Sequence, residues 1–135
     1  MAASRPITTG LFTEGEDGPR LLAAGCAACS RLHFPATETC PYCSHAGCPV
    51  REVGPHARLF LFTTIRNPPP GYRGPLPYGF GVVELQEGLR VVTRLTPPET
   101  SGLREGTRMR LVVEPLFHDE DGTAVVSYAF APEAA

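Results

Sequence analysis

Cys26-Ala-Ala-Cys29 is followed, after ten residues, by Cys40-Pro-Tyr-Cys43, and these two Cys-x-x-Cys pairs decide the fold of the first part of the chain. Zinc prefers four ligands in a tetrahedron, and each tight turn of this kind supplies two thiolates. Because both pairs fall within eighteen residues, the spacing predicts a zinc ribbon. Four thiolates leave no coordination position for water or substrate, so we expect the metal to be structural.

Other interpretations of the cysteines stay open from the residues alone. The four thiols could form two disulfides, or one pair could be redox-active, although a redox pair usually sits in a βαβ context that this sequence does not predict. His33, His45 or the fifth cysteine, Cys48, could in principle replace a ligand. Cys48 lies farther from the second turn, and we expect a buried or free thiol there.

Composition indicates a turn-rich β protein. The 135 residues include 15 Pro and 14 Gly, which divide the chain into short elements. The five cysteines and an N-terminus without an apolar leader predict a cytoplasmic protein. The sequence has no apolar run of about 18 residues, so we expect no segment that crosses a membrane.

The formal net charge is −2, but the charges are unevenly distributed. Residues 57–110 hold eight Arg and four Glu, whereas residues 111–135 hold five acids and no Arg. The middle segment is therefore the part best suited to an anionic ligand.

Five strands are predicted in the C-terminal half, because short runs rich in β-branched and aromatic residues alternate with turn signals. A closed five-stranded barrel of the OB type fits this number and size, with a sandwich fragment as the alternative. The first strand contains a continuous apolar run, which predicts burial on both faces or a strand that curls around a barrel. The predicted fold is mainly β, with an N-terminal arm at 1–19, a rubredoxin-like zinc ribbon at 20–50 and a five-stranded OB-fold barrel at 51–135. The five strands are expected at 57–65, 80–85, 89–95, 109–117 and 123–130.

The loop at residues 67–79 is a candidate contact element. Its five prolines favour extended geometry, and a stiff loop loses little entropy on binding. It carries Tyr72, Arg73 and Tyr78. On the third barrel strand, strand alternation places Arg90 and Arg94 on one face. The alternative is that the loop is only a rigid connector.

Motifs of common catalytic sites are absent from the sequence. There is no Gly-x-Ser-x-Gly elbow, no phosphate-binding glycine loop and no His-Glu-x-x-His. Zinc ribbons and OB barrels often bind nucleic acid, but a strongly basic stripe is missing from this acidic chain. The residues therefore favour a zinc-stabilised binding module over an enzyme.

A resemblance narrows the function further. Three segments follow the paired cysteines. They are Pro68-Pro-Pro-Gly-Tyr-Arg-Gly-Pro-Leu-Pro-Tyr-Gly-Phe-Gly-Val-Val-Glu-Leu85, Leu89-Arg-Val-Val-Thr-Arg-Leu-Thr96 and Asp119-Glu-Asp-Gly-Thr-Ala-Val125. This order resembles the OB-fold proteins with a rubredoxin-like zinc ribbon that accompany thiolases and other acyl-CoA enzymes. That family includes the small zinc-finger subunits of thiolases, such as benzoylsuccinyl-CoA thiolase, and the partners of steroid side-chain aldolases and hydratases.

The resemblance implies a non-catalytic accessory subunit of a thiolase-like enzyme. It implies that the four paired cysteines bind structural zinc, that the barrel is associated with acyl-CoA and that the partner subunit supplies the reactive cysteine. Because CoA offers phosphates to arginine and adenine to aromatic rings, we hypothesise five contacts to it. The alternatives are a free-standing acyl-CoA binder and a nucleic-acid-binding module. The hypothesised contacts are Tyr72, Arg73, Tyr78, Arg90 and Arg94.

Overall fold

A computed structural model describes residues 4–133, which form ten strands and no helix. No helix in this range is long and apolar enough to cross a membrane. The strands are β1 (Ser4–Pro6), β2 (Phe12–Gly15), β3 (Gly18–Gly25), β4 (Leu32–His33), β5 (Val50–Val53), β6 (His56–Ile65), β7 (Tyr78–Leu85), β8 (Arg90–Leu95), β9 (Arg108–His118) and β10 (Ala124–Pro132).

The last five strands close into a barrel, as predicted. Strands β6, β7 and β8 form an antiparallel meander, and β9 pairs antiparallel with both β6 and β10. A short parallel pairing of β8 with β10, through Arg94 and Leu95, completes the circle. Because the sheet closes on itself, the order β6–β7–β8–β10–β9 leaves none of the five strands with a fully open edge, and this is the OB-fold barrel.

Close approach of backbones at two inward-facing glycines lets β7 curve around the barrel. A Cβ atom at Gly79 would lie 2.7 Å from the carbonyl oxygen of Leu95, and one at Gly81 would overlap the carbonyl oxygen of Leu61. A glycine within a strand commonly marks such a bend. The pairing of β6 with β7 shifts register between Leu59 and Leu61, which bends β6 as well.

The apolar run of β6 curls around the barrel and is not buried on both faces. Its first half alternates, with Ala57 and Leu59 in the core. In its second half Leu61 is 55% exposed and Phe62 is 37% exposed. One of the two predicted explanations of this run is therefore wrong, because β6 has a solvent-facing side.

The cysteine-bearing segment forms a second sheet that shares its core with the barrel. Strand β3 pairs with β2, β4 and β5. In the ribbon, Phe34 packs edge-to-face on the barrel residue Tyr128, with ring centroids 5.4 Å apart. The ribbon and the barrel are thus held together by apolar packing. The shared core consists of Leu21, Ala23, Val53, Ala57, Leu59, Val83, Leu85, Leu89, Val91, Leu95, Met109, Leu111 and Phe130.

Residues before the first cysteine pair are built into both sheets. Strand β1 pairs parallel with β10, and the Arg5 guanidinium lies 2.8 Å from the Asp119 carboxylate. Strand β2 forms a hairpin with β3. The predicted division at residues 19 and 50 stays a prediction, although β2 and β5 show that the ribbon sheet draws strands from both flanks of the 20–50 segment.

We predict that Gly81→Ala destabilises the protein by about 1–3 kcal/mol or more, because the new methyl group meets the backbone of β6 and has no room to move. Urea denaturation monitored by circular dichroism measures the free energy of unfolding. Gly102→Ala is the matched control, since its Cβ meets nothing within 4 Å, and it should change stability by less than about 0.5 kcal/mol. Equal stability of the two variants would contradict the close approach of β6 and β7.

Candidate metal centre and the proline-rich loop

The four predicted cysteine ligands converge at the end of β3. Their sulfur atoms all lie within 4.8 Å of one another, with Cys26 Sγ 3.6 Å from Cys43 Sγ and Cys29 Sγ 3.7 Å from Cys40 Sγ. A disulfide would require about 2.05 Å. Four thiolates at about 2.3 Å from a tetrahedral zinc ion have sulfurs about 3.8 Å apart, so the donor set fits zinc.

The two cysteine turns have the same backbone geometry. The N–H of Cys26 donates to the carbonyl of Arg31, and the N–H of Cys40 donates to the carbonyl of His45, both at 2.9 Å. Each turn ends in a serine with positive φ, Ser30 at 65° and Ser44 at 66°. The repeated pattern Cys-x-x-Cys-Ser therefore produces two matching turns that face each other across the site.

Backbone N–H groups stabilise the thiolate form of Cys26 and Cys40. The N–H of Cys29 lies 3.4 Å from Cys26 Sγ, and the N–H of Ala28 lies 3.3 Å from it. These donors lower the pKa of Cys26 from 9.0 to about 6, against the opposing effect of burial. Tyr42 N–H makes the equivalent contact to Cys40 Sγ at 3.4 Å. The turns thus favour the charged form of Cys26 and Cys40, which is the form that binds zinc. At Cys43 the backbone N–H of His45 acts in the same direction, but the hydrogen bond with Cys26 and burial outweigh it and raise the pKa to about 12.

The alternative ligands do not belong to the group of four converging sulfurs. The Nε2 atom of His33 lies 2.8 Å from the Thr37 hydroxyl, and His45 does not belong to the cluster of four. Cys48 is buried against Cys26 and Cys40, and its thiol donates to the His45 carbonyl at 3.9 Å. Four thiolates from Cys26, Cys29, Cys40 and Cys43 fill a tetrahedral sphere, so a metal here would hold the ribbon and leave no site for a substrate.

Three of the five hypothesised CoA contacts come together at the proline-rich loop. Tyr72 lies on Tyr78 with ring centroids 4.8 Å apart, and the Arg94 guanidinium lies 4.9 Å from the Tyr78 centroid. Arg94 Nη1 donates to the Tyr72 hydroxyl at 2.8 Å, while its Nε lies 3.6 Å from the Glu114 carboxylate without a hydrogen bond. The structure places Tyr78 at the start of β7 and not in the loop.

The other two hypothesised contacts each stack on an aromatic ring outside this cluster. Arg73 stacks on Phe117 at 4.1 Å from the ring centroid, and Arg90 stacks on Phe60 at 4.0 Å. Both arginine side chains are 56% exposed, whereas Arg94 is 16% exposed. Sequence reasoning missed Phe60, Phe117 and Glu114 as their partners, because those residues lie on strands that only the barrel closure brings near.

We predict that Cys26→Ser abolishes stoichiometric zinc binding and unfolds the ribbon, because metal binding and folding are coupled in such sites. Elemental analysis measures the zinc content, which should fall from about one ion per chain to nearly none. Cys48→Ser is the matched control and should keep its zinc. The ligand assignment is wrong if Cys26→Ser retains the metal or if Cys48→Ser loses it.

Two family descriptions match this chain, one on each side of residue 48. Residues 13–47 match the rubredoxin-like zinc ribbon domain of ChsH2, and residues 50–114 match the C-terminal OB-fold domain of ChsH2. These matches agree with the four clustered sulfurs and with the closed barrel.

Individual relatives extend the similarity over most of the chain. A DUF35 domain-containing scaffold protein of Pyrococcus furiosus is 31% identical over 84% of this chain and 83% of its own. The benzoylsuccinyl-CoA thiolase subunit BbsA of Thauera aromatica is 29% identical over 83% of this chain and 76% of its own. A chain of the solved Ltp2-ChsH2(DUF35) aldolase is 27% identical, with a TM-score of 0.61 and 84% of each chain covered. The chain therefore belongs to the DUF35 family of ChsH2-type proteins, in which a zinc ribbon precedes an OB-fold domain.

Proposed function

We propose that this chain is the non-catalytic, zinc-containing accessory subunit of a thiolase-like acyl-CoA enzyme of the cytoplasm. The observation that carries the proposal is its similarity over 84% of both chains to a component of an Ltp2-ChsH2(DUF35) aldolase. The similarity to a thiolase subunit over 83% of the chain supports the same conclusion. In this role the partner subunit carries out the chemistry, and the present chain supports assembly and acyl-CoA binding.

An exposed apolar row on the barrel supports the role in assembly. Leu61 on β6 lies opposite Val82 on β7, which lies opposite Val92 on β8. Leu61 and Val92 are 55% and 56% exposed, and Phe80 beside them is 36% exposed. Adjacent exposed apolar residues on several strands are typical of protein contact sites. We assign this row to the thiolase-like partner.

We predict that Leu61→Asp and Val92→Asp each weaken the complex with a thiolase-like partner subunit by about tenfold or more, because a carboxylate is then desolvated in the interface. Co-expression followed by affinity purification and calorimetry measures the association. Val50→Asp is the control, since Val50 is 63% exposed on the ribbon and outside the row.

If neither Leu61→Asp nor Val92→Asp changes the association, the row is not the interface. If the wild-type chains never associate and thiolase turnover is indifferent to this protein, the accessory role itself fails.

For acyl-CoA we keep the five hypothesised contacts and distinguish two roles among them. Arg73 and Arg90 expose more than half of their side chains, so their guanidinium groups are accessible to phosphates. Tyr72, Tyr78 and Arg94 contact one another and fix the loop against the barrel. We propose that the arginines bind the phosphates and that the loop cluster presents the aromatic surface for adenine.

We predict that acetyl-CoA binds weakly to the isolated chain and more tightly to the complex. In the complex, Arg73→Gln and Arg90→Gln should each raise the dissociation constant about tenfold, the value of one charge-assisted hydrogen bond. Isothermal titration calorimetry measures both, with Arg51→Gln as a control that removes the same charge from the ribbon. Tight binding to the isolated chain would favour a free-standing acyl-CoA binder, and unchanged binding by both variants would remove these two residues from the site.

A further inference from the structure

Two arginines face each other on the outer side of the β6–β9 pair. Arg58 on β6 lies directly opposite Arg108 on β9, and His56 lies directly opposite Arg110. All four residues are exposed, and strand alternation points them away from the core residues Ala57 and Met109. Like charges in directly opposite positions destabilise an antiparallel pair. We call these four residues the β6–β9 basic cluster.

The arginines of this cluster have no carboxylate partner among residues 4–133. Arg58 donates from Nη1 to the carbonyl of Gly106 at 3.2 Å, which leaves the rest of its guanidinium free. Two carboxylates lie beside the cluster. Glu84 on β7 lies directly opposite Arg58 and is 3.9 Å from Arg90 Nε, and Glu133 lies 2.5 Å from His56 Nδ1. The three arginines Arg58, Arg108 and Arg110 thus stand beside two carboxylates, so positive charge is in excess on this sheet face, and Arg58 and Arg108 repel each other.

A cavity of about 390 Å³ opens at this cluster. The buried residues Ala57 and Leu85 contribute to its wall. Its polar lining consists of His56, Arg58, Glu84, Gln86, Arg108 and Glu133. This volume falls within the range of small-molecule sites, about 300–1,000 Å³. A concave wall with apolar patches excludes part of the water, which strengthens hydrogen bonds from the arginines to an anion.

We propose that the β6–β9 basic cluster binds a diphosphate group. Each guanidinium presents a rigid fork that matches two oxygens of one phosphate, so neighbouring arginines on paired strands suit two linked phosphates. The anion would also offset the repulsion between Arg58 and Arg108, which explains why the fold tolerates that pair. The diphosphate belongs either to free pyrophosphate or to a nucleoside diphosphate. None of the cluster residues is among the five hypothesised acyl-CoA contacts, so the inference does not rest on them.

Calorimetry on the zinc-loaded full chain tests the site with pyrophosphate and with ADP at low and moderate salt. The wild-type chain should bind at least one of the two, less tightly as salt rises, because the cluster is exposed. Arg58→Gln and Arg108→Gln should each raise the dissociation constant about tenfold or more. Arg51→Gln, which removes an exposed ribbon arginine, should bind as the wild type does.

Two further measurements separate binding from folding. Thermal unfolding without ligand should show Arg58→Gln melting no lower than the wild type, because the change removes a like-charge contact. Amide chemical-shift changes on adding pyrophosphate or ADP to the wild-type chain should centre on residues 56–58 and 108–110. Binding of pyrophosphate alone would assign the site to the free anion, and binding of ADP alone would assign it to a nucleotide. The proposal is overturned if neither probe binds at millimolar concentration, if the shifts centre elsewhere, or if Arg58→Gln, Arg108→Gln and Arg51→Gln bind equally.

Discussion

One apolar core, shared by two sheets, is the constraint on which the rest of this structure depends. Leu21, Ala23 and Val53 come from the cysteine-bearing sheet, yet they pack in the same cluster as the inward-facing residues of the barrel. Strand β3 carries Leu21 into this core and ends at Gly25, immediately before the first cysteine turn. The packing of β3 against the barrel therefore sets the position of the sulfur cluster. Conversely, a metal bound by the cysteine turns would fix the orientation of β3. A metal held by the cysteine turns would therefore be coupled to barrel stability through β3, with Val53 of β5 and Phe34 as further contacts.

The sequence was most informative where the determinant is local. Two Cys-x-x-Cys turns need only their own backbone to place four sulfurs, and the five barrel strands follow from alternation between clear turns such as the one at Gly122, which has a φ of 85°. The short strands were not predictable in this way. Residues 50–53 contain only two apolar residues, and they form β5 because Val53 lies opposite Leu21, more than thirty positions earlier. Such strands depend on their partners and have little propensity of their own.

The loop illustrates what local reasoning can and cannot provide. Its proline content and its aromatic residues predicted a stiff element with contact residues. The structure adds that Tyr72 and Tyr78 stack on each other and that Arg94 joins them from β8. That arrangement requires the loop to fold back over the barrel, which depends on contacts to Glu114 and Phe117 on β9. Separations along the chain as large as these carry no periodic signal, so only the closed barrel shows which arginines are exposed and which are held in place.

The pairing of β1 with β10 has a consequence for self-association. Strand β10 meets β8 only near Ala129 and Phe130, so the earlier part of β10 would present unpaired N–H and C=O groups along one side. Strand β1 occupies that side of β10 at Ala124, Val125 and Val126. Because β1 contains Pro6 and the charged Arg5, its own outer edge is poorly suited to pairing with another strand. Three residues near the start of the chain thus protect this edge of β10 against edge-to-edge aggregation.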